Sequence, residues 1–219
     1  MKIQTKTCNA ANYGGIRKQT RYLVIHYTSN NGDTAKNNAD YFAREALASP
    51  ASAHYFVDET EIWASVPENC VAWHCGAKTY VHPECRNTNS IGIEICMNGA
   101  DGRVREGSIT HAAELVRELM QRYQIPVERV LRHHDVTGKD CPAPMVQNIA
   151  RWNAFLDLLK EETQMRYQYY EDMPDWAKPT VSKLVKKGYL KGEGDGVLNL
   201  TEDTLKVLVI NDRAGVYKA

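Results

Sequence analysis

The sequence predicts an α/β fold in which a mixed central β-sheet is flanked by helices and followed by a small helical C-terminal module. Three observations carry this prediction. Short apolar, β-branched runs alternate with segments of helical periodicity. Hydrophobic residues occupy 43% of the 219 positions, enough to build a core. After residue 162 the chain turns polar and tyrosine-rich, and the apolar pattern that resumes suits only a marginal core.

Five segments before residue 162 have the pattern of strands. They are 22–27, a hairpin of 53–58 and 61–66, 90–96 and 127–131. Because side chains alternate along a strand, His26 shares a face with Tyr22 and Val24. Glu94 points away from the isoleucines of its strand, and Gly92 leaves room for a ligand on the face of Glu94. The aromatic stretch 67–89 is predicted to be mostly loop.

Four segments are predicted to form helices, the first from its capping residues and the other three from the helical spacing of their apolar residues. Asp33 and Thr34 can cap a helix to about Leu47, and the others are 110–123, 146–162 and, in the tail, 175–187, which Gly188 ends. Thr201 caps a further helix to Arg213, and its acidic first turn suits the helix dipole. The Gly-rich segment 192–196 is predicted to be a plain turn. A calcium-binding loop is not favoured, because the segment lacks the repeated oxygen ligands of such a loop.

Composition narrows the class of protein. Lys plus Arg and Asp plus Glu both number 27, and this balance argues against nucleic acid as the main partner. No apolar run of about 18 residues is present, so membrane insertion is not expected. The start lacks a signal-peptide pattern, which suggests synthesis in a reducing cytosol with free thiols. The cysteines at 70, 75, 85 and 96 do not form CxxC pairs, so buried thiols are favoured over a structural zinc site.

The segment from Arg132 to Pro142 concentrates reactive side chains. His133, His134, Lys139 and Cys141 fall within nine residues. A catalytic zinc takes three protein ligands and leaves one position for water, and histidine and cysteine are common ligands. Two ligands can come from this segment, with the choice between the two histidines open. His26 is the best candidate for the third, because it ends a buried strand.

The chain resembles the zinc-dependent N-acetylmuramoyl-L-alanine amidases, the type found in phage and prophage endolysins and in animal peptidoglycan recognition proteins. The matching pieces, in the family's order between about residues 20 and 160, are VIHYT (24–28), SAHYFV (52–57), AWHCG (72–76), SIGIE (90–94) and HHD (133–135) with Lys139 and Cys141. The resemblance implies zinc bound by His26, His133 and Cys141. The family's spacing to the thiol favours His133 over His134.

The same resemblance implies roles for the other site residues. Glu94 matches the general base of many bacterial members, and Lys139 matches the residue that stabilises the oxyanion. Some phage members carry a tyrosine where this chain has Ala53, which favours the glutamate-dependent form of the site. The implied substrate-groove residues are His54, Trp73 and His74.

The implied reaction is hydrolysis of the amide between N-acetylmuramic acid and L-alanine of the stem peptide, with peptidoglycan as partner. The implied context is a phage or prophage lysis enzyme, made in the cytoplasm and reaching the wall after a holin opens the membrane. Two alternatives are a non-catalytic peptidoglycan-binding module, which typically lacks the thiol ligand, and a cytosolic recycling amidase.

The segment 163–219 loosely resembles an S-layer-homology-like module. The matching pieces are Trp176-Ala177, GYLKG (188–192) and Asp195-Gly196. All candidate catalytic residues lie before Pro142, so 1–162 is expected to be the catalytic domain. The tail is then expected to bind wall polymer, to form a homo-oligomer, or only to pack on the first domain.

Overall fold

The computed structural model describes residues 2–160 and 166–217. The chain forms two compact units, Met1–Glu161 and Glu162–Ala219, and each is described here by itself. The predicted domain boundary after residue 162 and the predicted helix end at Glu162 lie outside the described residues. Among the residues that are described, no helix is both long enough and apolar enough to cross a membrane.

The first unit contains eight of the described strands and five of the described helices. The strands are β1 (Ile3–Thr5), β2 (Tyr13–Ile16), β3 (Tyr22–Tyr27), β4 (Tyr55–Val57), β5 (Ile62–Ala64), β6 (Cys70–Ala72), β7 (Ser90–Ile95) and β8 (Val130–Arg132). The helices are α1 (Ala35–Arg44), α2 (Glu106–Tyr123), α3 (His133–Thr137), α4 (Ala143–Val146) and α5 (Ile149–Lys160).

Six of these strands form one sheet in the order β1-β5-β4-β7-β3-β8. Strand β3 pairs in parallel with β7 and β8, and β7 pairs in parallel with β4. Strands β4 and β5 form the predicted hairpin, which is antiparallel. The predicted mixed sheet is therefore confirmed, with β7 and β3 at its centre.

Helices cover both faces of the sheet, as predicted. Alternate residues of the central strands divide between two cores. Leu23, Ile25 and the isoleucines of β7 pack with α2 and α5 in the main core. On the opposite face Val24 packs with Val136 of α3, and Phe56 packs with Ala35 and Ala39 of α1. The face that carries His26 and Glu94 is thus the face beneath α1 and α3.

The structure corrects several predicted boundaries. Strands β1, β2 and β6 were not predicted, because three or four residues are too few to display a period of two. Strand β6 lies inside the predicted loop and pairs with β2. Helix α1 ends at Arg44 rather than Leu47, and α2 begins at Glu106 rather than Thr110. Val146 belongs to the separate short helix α4, so α5 starts at Ile149.

Buried cysteines are spread over three clusters of the first unit. Cys75 and Cys85 pack with Tyr22 and Val24, whereas Cys96 packs beside α1. Cys70 lies at the edge of another cluster with Cys8.

The buried carboxylate of Asp58 anchors α1 to the β4–β5 hairpin. Its Oδ2 accepts the N–H of Ala35 at 2.8 Å, and its Oδ1 accepts the N–H groups of Thr60 and Glu61, each at 2.8 Å. Burial alone would raise the pKa of Asp58, but these hydrogen bonds lower it below its ordinary value. The N-cap of α1 is Thr34, whose Oγ1 accepts the N–H of Asn37.

The second unit is built on α6 (Lys178–Lys186) and α7 (Glu202–Arg213), with a short antiparallel pairing of β9 (Arg166–Tyr167) and β10 (Leu200–Thr201). Helix α6 starts later than predicted, with Pro179 in its first turn. The predicted apolar stripe is mostly internal, since Val181, Leu184, Leu205 and Val209 are buried. Val185 is instead exposed. The unit also contains the predicted turn, in which Asp195 has a positive φ.

We expect Asp58→Asn to destabilise the first unit by about 2–3 kcal/mol, because an amide group would oppose N–H donors that now bind a carboxylate. A folded-state pKa held below the unfolded value near 3.9 stabilises the fold above that value, and this stabilisation disappears as pH falls through the folded pKa. Urea unfolding at pH 7 and pH 3 checks this. The difference in free energy of unfolding between wild type and Asp58→Asn should shrink at pH 3, and a larger difference at pH 3 than at pH 7 would contradict the prediction.

Candidate active site

The register of two parallel strands brings His26 and Glu94 together. His26 of β3 stands opposite Glu94 of β7, so both side chains project from the same face of the sheet. Glu94 Oε1 lies 3.9 Å from His26 Nδ1. His26 is buried, whereas the Glu94 side chain keeps 22% of its surface exposed.

A tight loop after α3 brings Cys141 back to the residue pair that begins that helix. Gly138 ends α3 with φ of 80°, a conformation that favours glycine. The N–H of His134 then donates to the carbonyl of Cys141 at 2.8 Å. Asp135 accepts from the backbone N–H and the guanidinium of Arg132, so it supports the start of α3 rather than an imidazole.

His26, His133 and Cys141 form a buried cluster of ligand-type atoms. One donor atom from each lies within 4.8 Å of the others. The Sγ of Cys141 is 3.8 Å from His26 Nδ1, and the rings of His26 and His133 have centroids 4.5 Å apart. Ligand atoms around one tetrahedral zinc are separated by about 3.3–3.8 Å. Two imidazoles and one thiol at these separations therefore fit a zinc ion with a position left over.

The electrostatics of the three groups agree with that fit. Burial lowers the pKa of His26 well below its ordinary value and lowers that of His133 to about 4, so both rings are held neutral, as metal ligands are. Burial, assisted by the charge of Glu94, raises the pKa of the Cys141 thiol to about 12. A bound cation would therefore stabilise the thiolate form of Cys141 at this buried position.

His134 lies apart from this cluster. Its Nδ1 is 3.1 Å from the carbonyl oxygen of Lys139, on the partly exposed side of α3. His82 and His111 also point elsewhere: the Nδ1 of His82 accepts two backbone N–H groups, and His111 contacts the carbonyl of Asp58. Of the two adjacent histidines, His133 is the one that the structure places beside His26.

The cluster lies in a cleft of about 820 Å³. Lys139, Trp73, His74 and Glu94 line it together with the three cluster residues. A second depression of about 710 Å³ shares Trp73, His74, His133 and Lys139 with the cleft. The two depressions therefore meet at Trp73, His74, His133 and Lys139, beside the histidine–cysteine cluster.

Glu94 is an acidic group in direct reach of the cluster, with Oε1 3.9 Å from His26 Nδ1. Burial raises its pKa to about 8, opposed by the positive charge of Lys139 and assisted by the negative charge of Asp33. Its Oε2 is buried and has no hydrogen-bond partner among the described residues. A buried carboxylate oxygen without a partner is costly, which marks this atom as one that a ligand or water would satisfy.

His54, predicted to line the substrate groove, does not reach it. The side chain is fully buried, and its Nδ1 accepts the N–H of Gly92 at 3.0 Å. Its Nε2 lies 3.2 Å from the carbonyl oxygen of Cys70, to which a neutral ring would donate, and 3.1 Å from Nη1 of the buried Arg17. His54 ties β7 to β6, so its position in a family motif reflects a structural role.

The space above Gly92 is filled by protein rather than left for a ligand, which corrects the prediction. A Cβ atom on Gly92 would lie 2.5–2.8 Å from three atoms of the His74 ring. Glycine is therefore required at this point of β7 so that the His74 ring can pack against the strand. His74 and Trp73 both line the cleft, and the backbone N–H of Trp73 donates to Ser52 Oγ at 3.0 Å.

Helix α1 supplies one wall of the cleft, which the sequence did not predict. Asn37, Asn38, Tyr41 and Phe42 lie on one helical face that lines it, joined by Asp33. Asp33 was predicted only as a helix cap, but its Oδ2 accepts from Asn38 Nδ2 at 2.7 Å. The pair of asparagines on one helical face was the signal available in the sequence.

The chain belongs to the family described as N-acetylmuramoyl-L-alanine amidase (Amidase_2), whose profile matches residues 16–144. Every element that supplies the cluster lies within that span.

Curated relatives and a solved structure agree with this membership. The chain is 39% identical over 141 residues to the N-acetylmuramoyl-L-alanine amidase CwlL of Bacillus licheniformis, covering 61% of this chain and 39% of CwlL. It is 30% identical over 201 residues to BlyA of Bacillus subtilis, covering 84% and 52%. The structure of PlyL is similar with a TM-score of 0.63 at 29% identity, covering 73% of this chain and 97% of PlyL. The chain thus spans about two fifths to one half of these curated relatives.

Proposed function

We propose that this protein is a zinc-dependent N-acetylmuramoyl-L-alanine amidase that hydrolyses peptidoglycan. The observation that carries the proposal is the buried His26–His133–Cys141 cluster at the base of a cleft, in a chain of this family. The names of the relatives, which are amidases of bacilli, support the same substrate class. A lysis enzyme of phage or prophage origin that acts on the cell wall is the proposed context.

Zinc held by the three cluster residues would act as a Lewis acid and would lower the pKa of a bound water. Glu94 is the proposed general base, because it stands beside His26 in the sheet with Oε1 3.9 Å from His26 Nδ1, while its Oε2 has no hydrogen-bond partner among the described residues. It would accept a proton from the attacking water and return it to the leaving amine of L-alanine.

Lys139 is the proposed oxyanion-stabilising residue. Its side chain lines the cleft, and its positive charge acts on His26, His133 and Glu94. A cation at this place would stabilise negative charge that develops on the amide oxygen in the transition state. Trp73 is proposed to contact the substrate, because it lies where the two depressions meet.

The rival proposal is a peptidoglycan-binding module without catalysis. The presence of Cys141, Lys139 and Glu94 in one cleft favours hydrolysis, since mere binding requires neither a base nor a complete metal-ligand set.

We expect purified protein to bind one zinc ion per chain, and His26→Ala and Cys141→Ser to lose it. Removing one of three protein ligands leaves too few to hold the ion tightly. His134→Ala and Cys70→Ser are the matched controls, and both should retain zinc. Elemental analysis after dialysis decides, and full zinc content in both ligand variants would refute the assignment.

We expect digestion of purified cell wall to release stem peptides that begin with L-alanine, with new amino termini appearing over time. Glu94→Gln should lower the rate about 10²- to 10⁴-fold while zinc content is unchanged, because only the proton acceptor is lost. Glu114→Gln, an exposed change on α2, should behave as wild type. Mass spectrometry reads the products. Wall binding with no new amino termini would favour the non-catalytic module.

For the second unit we propose binding to the cell wall. A cavity of about 650 Å³ is lined by Tyr169, Tyr170, Lys186 and Glu171, and aromatic rings beside charged groups suit saccharides. Trp176 and Tyr189 are also exposed. The similarity to BlyA covers a larger share of the chain than the first unit occupies, so it continues into this unit.

We expect a protein ending at residue 162 to keep its zinc and its cleavage of soluble muropeptides, but to lose co-sedimentation with intact walls. The described site residues all lie before this point, so the chemistry should not depend on the second unit. Light scattering of both proteins provides the comparison for self-association. If the shortened protein still binds walls but its mass falls from that of a dimer to that of a monomer, the second unit forms oligomers and does not bind the wall.

A further inference from the structure

We propose that His74 is a positioning residue that fixes the tautomer of His26, so that His26 presents Nδ1 to the metal. This inference rests on the proposed zinc site. It assigns His74 a task different from substrate contact, namely to hold a ligand ring in its coordinating state through a chain of hydrogen bonds.

The chain has three links that lead away from the cluster. His26 Nε2 lies 3.0 Å from His74 Nδ1, and the two rings are perpendicular. His74 Nε2 lies 3.1 Å from Ser90 Oγ. Ser90 Oγ donates to the backbone carbonyl of Arg86 at 2.7 Å. Ser90 is fully buried, so water does not compete for its hydroxyl.

The last link sets the direction of every proton. A carbonyl oxygen only accepts, so the single hydroxyl proton of Ser90 is used on Arg86. Ser90 Oγ must therefore accept from His74 Nε2, and in the neutral form of His74 this leaves Nδ1 without a proton. That nitrogen accepts from His26 Nε2–H. Neutral His26 then carries its lone pair on Nδ1, the atom 3.8 Å from Cys141 Sγ.

Backbone geometry holds the His74 ring in this place. Gly92 allows the ring to lie against β7, since any Cβ there would overlap it. The backbone N–H groups of His74 and Cys75 both donate to Asn87 Oδ1, at 3.2 and 2.8 Å. Both ring nitrogens of His74 are engaged, so the ring can offer the cleft only its carbon edge. It therefore acts through His26.

The experiment combines imidazole nitrogen NMR with zinc affinity. In metal-free wild type, the nitrogen shifts of His26 should show Nε2 protonated and Nδ1 unprotonated. In His74→Phe, which keeps a flat ring over Gly92 but offers no acceptor, this preference should be lost, and zinc should bind about 10- to 100-fold more weakly in a chelator competition. His74→Asn, whose Oδ1 can accept from Nε2–H, should recover most of the affinity. His82→Phe is the matched control outside the cleft.

Ser90→Ala breaks the chain at its far end and should shift the His26 tautomer in the same direction as His74→Phe. Thermal unfolding of each variant verifies that it is folded. A His26 protonated on Nδ1 in metal-free wild type would overturn the inference, as would zinc affinity of His74→Phe within twofold of wild type. Failure of wild type itself to bind zinc would instead refute the proposed function, while the metal-free NMR result would still decide the tautomer.

Discussion

The candidate site depends on one constraint, the parallel register of β3 and β7 at the centre of the sheet. That register sets His26 directly beside Glu94 and sets Val24 beside Gly92. A slip of one residue would turn Glu94 into the isoleucine core on the opposite face. The packing of Ile91, Ile93 and Ile95 against α2 and α5 opposes such a slip. The main core thereby fixes the geometry of the cleft on the other side of the sheet.

Buried histidines impose a second constraint on the structure. His26, His54 and His133 are all buried, and burial lowers the pKa of each, so the neutral form dominates. A neutral ring has one donor and one acceptor nitrogen, and each needs a suitable partner. His54 meets this need entirely within the scaffold. His26 meets it on one nitrogen through His74, which leaves the other nitrogen free to coordinate.

The two units of the chain place different demands on their sequences. The first builds its site from β3, β7, α1 and the loop after α3. Its large core supports a buried Glu94 oxygen that has no hydrogen-bond partner among the described residues. The second has a small core around Met173, Val181 and Leu205 and leaves several aromatic side chains exposed. Exposed rings on a small unit suit contact with a polymer better than they suit chemistry.

The sequence by itself determined the class of fold, the strands that carry His26 and Glu94, and the eight-residue step between His133 and Cys141. Periodicity and motif order suffice for these, because both are local. Only the tertiary structure decided between His54 and His74. Each follows a small or aromatic residue in a family motif. The His54 ring is buried and accepts a backbone hydrogen bond from Gly92, whereas the absence of a side chain on Gly92 makes room for the His74 ring at the cleft. The wall formed by α1 likewise depends on packing across the sheet, which no local pattern encodes.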